Sequence, residues 1–247
     1  MTVGSGLTYD FYSMTIESIT IERMLLETRS RVHAALGEPS RLEMVDRLVH
    51  GDLSPGELAK SLNLPSNLLA HHLKVLEDAG VVERLRSEGD QRRTYVRLIP
   101  GAVTGLTPVE LRPAPRVVFV CTHNSARSQL AATAWSRVSR VPVASAGTHP
   151  AGSVHPAALS LARRHRMPLR RLHTTHVDDV VRPDDLVIAV CDNAHEELGT
   201  RAPDRLHWSV PDPVPIGTRA AFEQAFALIG ARVDQLAAAV NSPKEKP

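Results

Sequence analysis

The sequence predicts two domains of different fold class: a mostly α N-terminal domain that ends in a β-hairpin, and a C-terminal α/β domain with a four-stranded parallel sheet. Three observations lead to this division. Residues 16–78 carry apolar patterns with helical spacing, and two short strand patterns follow them. Residues 100–115 are rich in proline and glycine without a clear period, which predicts a linker. Beyond the linker, short apolar runs alternate with helical stretches, which is typical of a parallel sheet covered by helices.

Composition and charge limit which classes of protein this chain can belong to. The chain has 247 residues and a formal net charge of only +2, so any DNA binding must come from a local basic patch. No run approaches about 18 uncharged apolar residues and no signal peptide is visible, so we expect a cytosolic, cytoplasmic protein without a membrane partner. Two cysteines are too few for a disulfide framework, and in a reducing compartment they favour a catalytic or redox role.

The N-terminal domain is predicted over residues 16–99, after a flexible leader at 1–15 that shows no sustained period. A first helix is expected to end at Gly37. Further helices are predicted at about 39–50, from the capping box Ser54-Pro55-Gly56-Glu57, and from a cap at Ser66 or Asn67 to Leu76. Strands at 81–86 and 94–98, joined by the polar tip 87–90, follow. This order is that of a winged helix-turn-helix.

Residues 31–98 resemble the ArsR-like family of small metal- and metalloid-responsive repressors. The resemblance rests on the leucine and arginine of the pattern AL-x-x-x-x-R at Leu36 and Arg41, on GELA at 56–59 and on HLKVLEDAGVVE at 72–83. It implies a double-stranded DNA operator as partner and a homodimer. The family's cysteine sensor site is excluded because this domain has no cysteine, and its alternative site lacks support because the linker replaces the helix after the wing. No metal site is predicted.

In such a domain the second helix of the motif enters the major groove, and the wing contacts phosphates. The predicted DNA-binding residues are Ser66, Asn67, His71 and Lys74 on the helix and Arg84, Arg86, Arg92 and Arg93 on the wing. His72 is expected to be structural, because the residues that follow it face the core.

The C-terminal domain is predicted over residues 116–242 and contains one loop with clear chemistry. Its strands are expected at 117–120, 141–144, 185–190 and 206–209, and its longer helices at 128–138, 154–166 and 218–240. The first strand runs directly into C-T-H-N-S-A-R-S at 121–128. A loop between a strand and a helix directs backbone N–H groups into one concavity, which binds a tetrahedral oxyanion and stabilises a thiolate.

This loop predicts Cys121 as the nucleophile. Arg127 supplies a planar fork for two oxyanion oxygens, and Ser128 can donate a hydrogen bond to the thiolate. Asn124 is expected to hold the loop by side-chain hydrogen bonds. The predicted oxyanion-binding loop consists of Thr122, His123, Asn124, Ser125 and Ala126.

The C-x5-R-S pattern is similar to that of the low-molecular-weight phosphatase and arsenate reductase family. The similarity extends to H-W-S-V-P-D-P at 207–213, which implies that Asp212 is the general acid, and to S-A-G-T-H-P at 145–150, which we expect to be structural. His123 departs from the family, which usually has glycine there. Tyrosine phosphatases of the family usually have a second cysteine where Ala126 stands. Cys191 stands where the reductases place a resolving cysteine, so the resemblance implies a reductase.

The resemblance implies an external thiol reductant and no bound cofactor. The thioredoxin-coupled subclass uses a third cysteine and a potassium-binding glutamate; this chain has no third cysteine, and Ala132 stands at the position of the glutamate. Two recycling routes remain open. Either a Cys121–Cys191 disulfide is reduced directly, for instance by a redoxin, or mycothiol or glutathione attacks the arseno-cysteine adduct.

Three functions follow from these observations. The first is a thiol-dependent arsenate reductase fused to a DNA-binding regulator of the arsenic response, with arsenate or a phosphate-like oxyanion as ligand. The second is a transcriptional repressor whose reductase-like domain senses an oxyanion or oxidation with little turnover. The third is a protein tyrosine phosphatase fused to a DNA-binding module.

Overall fold

The computed structural model describes residues 26–99, 101–103, 112–167, 169, 173–199, 202 and 205–241. The predicted leader and the beginning of the predicted first helix lie outside these ranges. Within them, none of the helices has the length and apolar character needed to cross a membrane.

The N-terminal domain is a small helical bundle with a hairpin. Its elements are α1 (26–36), α2 (Pro39–Leu48), α3 (Pro55–Leu62), α4 (Ser66–Asp78), β1 (Val82–Arg86) and β2 (Thr94–Leu98), the two strands being antiparallel. The predicted capping box is present, since Ser54 accepts from the Glu57 amide and the Glu57 side chain accepts from the Ser54 amide. The predicted cap of α4 by Ser66 or Asn67 is wrong. Pro65 holds the N-cap position without a side-chain hydrogen bond, because the fixed proline backbone already directs the chain into the helix.

The core of this domain forms where the apolar faces of the helices meet the hairpin. Met44, Leu58, Leu73 and Val96 are buried there. His72 is also buried, with its Nδ1 atom 3.5 Å from a Glu38 carboxylate oxygen. Order and packing confirm a winged helix-turn-helix domain.

The C-terminal domain is a layered α/β fold. Its elements are β3 (Arg112–Pro113), β4 (Val117–Cys121), α5 (Arg127–Val138), β5 (Val143–Gly147), α6 (Pro156–Arg164), α7 (Val177–Val180), β6 (Leu186–Ala189), α8 (Asp192–Leu198), β7 (Leu206–His207), α9 (Pro213–Ile216), α10 (Arg219–Ala239) and β8 (Val240–Asn241). The main sheet has the order β5-β4-β6-β7, and all of its strand pairs are parallel, as predicted. Helices α7, α8 and α9 were not predicted, because four to seven residues are too few to show a helical period.

The described residues at the two ends of the predicted linker contact the domains beside them. Val103 is buried in the N-terminal core. Arg112 and Pro113 form β3, which pairs in parallel with Val240 and Asn241 of β8. Strand β3 was not predicted within the linker, since long-range strand pairing leaves no local sequence signal.

The catalytic candidate lies at the end of the central strand. All five residues of β4 are buried, and β4 lies between β5 and β6. Leu130 and Trp135 of α5 pack in the same core as Phe222 and Ile229 of α10. The sheet therefore holds Cys121 rigidly at the carboxyl edge, where ligands of open α/β sheets usually bind.

A polar interface joins the two domains. The fully buried Asp52 of the N-terminal domain accepts from the Ser209 amide at 2.7 Å and from the Arg232 guanidinium at 2.6 Å. Its own amide donates to the His207 carbonyl at 2.7 Å. Trp208 Nε1 donates to the His50 carbonyl at 2.9 Å. Removing one partner of such a buried pair costs several kcal/mol, so these contacts define the relative position of the domains.

Candidate active site at the cysteine loop

Cys121 ends β4 and lies at the bottom of the loop, with only 3% of its surface exposed. The Ser128 hydroxyl lies 3.1 Å from its Sγ atom, and the Asn124 amide donates to the same sulfur at 3.2 Å. Hydrogen bonds to sulfur favour the thiolate over the thiol. One backbone donor and one hydroxyl therefore lie next to the sulfur.

Asn124 fixes the shape of the loop. Its backbone has φ of +50°, a left-handed conformation that asparagine tolerates better than most residues. Its Nδ2 atom donates to Ser128 at 2.8 Å, and its Oδ1 atom accepts from the Thr175 amide at 3.0 Å and from Gln129 at 3.2 Å. Gln129 was missed by the sequence reasoning, and the carbonyl of His173 accepts its second bond.

The S-A-G-T-H-P segment supports the loop from below. The Thr148 amide donates to the Cys121 carbonyl at 3.2 Å, and the His149 amide donates to the Thr122 carbonyl at 2.8 Å. A Cβ atom at Gly147 would lie 2.7 Å from the Thr122 carbonyl oxygen. Glycine is needed there because the loop backbone passes directly over it.

Arg127 begins α5 and points across the loop mouth, with 4% of its side chain exposed. Its Nη2 donates to Asp212 at 2.9 Å, and its Nη1 donates to the Val210 carbonyl at 2.8 Å and to Glu88 at 3.2 Å. Burial by itself would lower the pKa of Arg127, but nearby Cys191, Cys121 and the two carboxylates raise this pKa overall. The guanidinium therefore stays cationic.

Asp212 reaches Arg127 of the loop from the Asp-Pro turn. It is the N-cap of α9, where its Oδ1 accepts from the Val214 amide at 3.1 Å, and Pro213 occupies the first helical position. Its other oxygen faces Arg127. A thiol, a guanidinium and a carboxylate that meet at one loop can support nucleophilic attack on a tetrahedral oxyanion.

Cys191 lies beside this group, immediately before α8. Strands β4 and β6 are neighbours with Val120 paired to Ala189, so both cysteines stand at adjacent strand ends. The Cys191 Sγ atom is 3.5 Å from the Thr122 hydroxyl. Burial raises the pKa of Cys191 to about 11, while Arg127 and Thr122 oppose this shift.

The remaining loop residues have different surroundings. His123 is exposed, and its carbonyl accepts from the Ala151 amide at 3.0 Å. The Ser125 carbonyl accepts from the His155 amide at 2.9 Å, and Ala126 is buried as the N-cap residue of α5. In the described part of the chain, His123 and Ser125 therefore take part in the loop framework through their backbone carbonyls.

Glu88 was missed by the sequence reasoning, although it contacts the site. It belongs to the wing tip, here defined as residues 87–90, and its carboxylate touches both Arg127 and the Asp212 amide. The only signal in the sequence was a polar turn between two strands. Nothing in that pattern indicates a contact with another domain.

The predicted DNA-binding residues are accessible on the surface of the N-terminal domain. Ser66, Asn67, His71 and Lys74 are exposed on α4, and Arg84, Arg86, Arg92 and Arg93 are exposed on the wing. Some are paired: Lys74 with Asp78, and Arg92 with Asp90 at 3.0 Å. In the described part of the chain, no group of three or more histidines, cysteines or carboxylates could hold a metal ion.

A four-stranded parallel sheet whose central strand enters a Cys-to-Arg loop defines the class of cysteine-dependent, phosphatase-like α/β domains. Residues 116–246, just over half of the chain, match the low molecular weight phosphotyrosine protein phosphatase family, and the chain belongs to that family. Residues 36–84 match a helix-turn-helix domain family. Both resemblances found in the sequence are thus confirmed at the level of these families.

The individual relatives are similar to one part of the chain each: some are arsenate reductases and others are transcriptional regulators. Arsenate reductase 1 of Bacillus cereus is 31% identical over 128 residues, which are 49% of this chain and 92% of that protein. The HTH-type transcriptional regulator YdgJ of Bacillus subtilis is 45% identical over 60 residues, but the matched region spans only 37% of its length. The solved arsenate reductase of Archaeoglobus fulgidus is 28% identical, with a TM-score of 0.43, and covers 49% of this chain and 98% of that one.

Proposed function

We propose that this chain is a thiol-dependent arsenate reductase fused to a DNA-binding regulator of the arsenic response. The observation that carries the proposal is the position of Cys191. It stands at the strand end next to that of Cys121, within hydrogen-bond distance of the loop residue Thr122. Phosphate hydrolysis does not require a second thiol at this position. Reduction of arsenate requires a second sulfur, which forms a disulfide with the first and so leaves two electrons on arsenic. The similarity to the reductase of B. cereus supports the same choice.

The proposed first step is nucleophilic substitution at arsenic. The Cys121 thiolate attacks arsenate held by the loop amides and Arg127, and a bond forms between sulfur and As(V). Asp212, in its protonated form, gives its proton to the departing hydroxyl group, which leaves as water. The Ser128 hydroxyl and the Asn124 amide lie within hydrogen-bond distance of the attacking sulfur and can orient it.

The proposed second step transfers two electrons to arsenic. A second thiolate attacks the Cys121 sulfur, a disulfide forms, and the electron pair of the S–As bond stays on arsenic, which leaves as arsenite. Where Cys191 is the attacking group, the product is a Cys121–Cys191 disulfide that a redoxin or another dithiol reduces. In the alternative route, mycothiol or glutathione takes the place of Cys191 and attacks the adduct.

Arsenite release by the wild type, Cys121→Ser and Cys191→Ser tests this proposal under separate reductants: dithiothreitol, glutathione, mycothiol and thioredoxin. We expect no arsenite from Cys121→Ser. Loss of turnover in Cys191→Ser assigns the intramolecular route, and retained turnover with a small thiol assigns the other route. Wild-type protein that releases no arsenite with any reductant contradicts the reductase claim. Aryl-phosphate hydrolysis that survives Cys191→Ser would instead favour a phosphatase.

The DNA-binding half of the proposal rests on the exposed face of α4 and the wing. Lys74 and Arg86 serve as probes, one from each element, with a homodimer expected on a double-stranded operator. Replacing a phosphate-contacting residue should weaken binding to all sequences and reduce the salt dependence of the binding constant by roughly one ion. An anisotropy titration of DNA fragments from the neighbourhood of the gene measures both. Unchanged affinity and salt slope in both alanine variants would remove this face as the DNA-binding surface.

A second function, a repressor whose reductase-like domain senses an oxyanion or oxidation, is favoured by one observation. Glu88 of the wing contacts Arg127 of the loop, so the DNA-binding element and the candidate oxyanion site share an ion pair. A sensor requires different DNA affinities in two ligand states. If arsenate, arsenite and oxidants all leave the affinity for DNA unchanged, the sensor function is excluded.

A further inference from the structure

Glu88 of the wing tip forms an ion pair with Arg127, the cation of the cysteine loop. One carboxylate oxygen of Glu88 accepts from Arg127 Nη1 at 3.2 Å, and the other accepts from the Asp212 amide at 2.9 Å. The Glu88 carboxylate therefore connects the Arg127 guanidinium with the backbone amide of Asp212. A bidentate carboxylate of this kind imitates two oxygens of a tetrahedral oxyanion.

The contact is supported by a complementary surface around it. The Glu88 amide donates to Asp192 at 2.7 Å, and the Ser87 hydroxyl donates to Glu196 at 2.6 Å. Tyr95 of β2 donates to the same Glu196 carboxylate at 3.2 Å. Burial alone would raise the pKa of Asp192, but hydrogen bonds from His207 and the Glu88 amide lower this pKa overall, so the acceptor is an anion.

Gly89 shows how closely the wing tip approaches the second domain. A Cβ atom at this position would lie 2.5 Å from Glu196 Oε2 and 2.7 Å from Asn193 Oδ1. The glycine therefore permits the close approach of the wing tip to α8.

We propose that Glu88 is an internal anion that competes with the oxyanion for Arg127, so that docking of the wing tip and binding of an oxyanion exclude each other. The charge balance supports exclusion. Arg127 already faces Asp212 and Glu88, and the Cys121 sulfur lies in the same loop. A doubly charged oxyanion added to these groups would place several anions around one guanidinium, and like charges at such distances repel strongly in a buried site.

Two consequences follow by linkage. The apparent affinity for the oxyanion equals its intrinsic affinity multiplied by the fraction of molecules in which Glu88 has left Arg127. Conversely, a bound oxyanion releases residues 87–90, and any partner that holds the free wing, such as a DNA duplex, promotes oxyanion binding by the same factor. This inference rests on the proposed oxyanion site, but it does not require turnover of arsenate.

Calorimetric titration of the full chain with inorganic phosphate tests the competition. Glu88→Gln keeps the size of the side chain but removes its charge. We expect this variant to bind phosphate about three- to tenfold more tightly than the wild type, which corresponds to a wild-type protein in which Glu88 contacts Arg127 most of the time. Glu83→Gln, on the same hairpin and away from the loop, is the matched control and should bind like the wild type. Equal affinity in Glu88→Gln and the wild type overturns the proposal.

Hydrogen exchange of the Glu88 amide gives a second readout. Phosphate should accelerate exchange at residues 87–90 of the wild type relative to chloride of the same ionic strength, because the bond to Asp192 opens. Amides of α3 serve as the internal control. Unaltered exchange at 87–90 under saturating phosphate also overturns the proposal. If none of the proteins binds phosphate, the oxyanion site itself fails, whereas phosphate binding without arsenite formation removes only the reductase claim.

Discussion

The Thr122 hydroxyl lies 3.5 Å from the Cys191 sulfur and connects the cysteine loop with the second thiol of the domain. The two residues are 69 positions apart and meet because β4 and β6 are neighbouring parallel strands. This contact lowers the pKa of Cys191, but burial outweighs it and the thiol remains protonated at neutral pH.

The rate of Cys121–Cys191 disulfide formation should therefore rise with pH. Since the pKa of Cys191 is about 11, the attacking thiolate increases about tenfold per pH unit below that value. Thr122→Val removes the opposing hydrogen bond and should slow the step further, while Thr133→Val on α5 serves as the control. Mass spectrometry of quenched single-turnover mixtures measures the disulfide. A pH-independent rate would contradict the prediction that ionisation of Cys191 limits this step.

Ser128→Ala should reduce the reactivity of Cys121 at neutral pH. The hydroxyl lies 3.1 Å from the sulfur, and a hydrogen bond to a charged group contributes about 1.5–3 kcal/mol, so its removal should slow the reaction of the sulfur roughly tenfold or more. The rate of alkylation by iodoacetamide as a function of pH measures this loss. Ser136→Ala, on the same helix and bonded to a backbone carbonyl, should react like the wild type. Equal rates for both variants would contradict a role of Ser128 in holding the thiolate.

Gly147→Ala should damage the loop without unfolding the domain. The added Cβ would lie 2.7 Å from the Thr122 carbonyl and 2.9 Å from the Asn124 amide, so the loop must shift at a cost of about 1–3 kcal/mol. We expect weaker phosphate binding and a lower Tm. Gly152→Ala is the control, because nothing lies within 4 Å of its Cβ position. Wild-type phosphate affinity in Gly147→Ala would mean that the loop does not depend on this close approach.

The free energy of unfolding should decrease at acidic pH because His195 is buried in its neutral form. Burial, followed by the neighbouring His207 and Arg205, lowers the pKa of His195 from its ordinary value of 6.5 to about 3. Between these values the unfolded chain binds more protons than the folded chain, so the stability present above pH 6.5 is lost as the pH falls toward 3. Urea unfolding at several pH values measures the slope. His195→Gln should reduce it and the exposed His33→Gln should not, while equal slopes in all three proteins would contradict this account.

Local interactions explain why most elements were predictable. The Ser54 capping box, the continuous apolar run of β4 and the spacing from Cys121 to Arg127 all act between near neighbours. The shortest helices and strand β3 escaped prediction, because a single turn or a pair of residues shows no period. The same reasoning failed for the cap of α4, where the proline backbone makes a side-chain cap unnecessary.

Periodicity, capping and the order of strand, loop and helix are local properties, and they were enough to predict the two domain types and the position of the cysteine loop. Which distant charges meet depends on how the domains pack. Arg127 lies 39 residues from Glu88, and Asp52 lies 180 residues from Arg232. Such pairs form because closing an interface between domains removes water from charged groups, which must then neutralise each other, and no neighbour in the chain records that requirement.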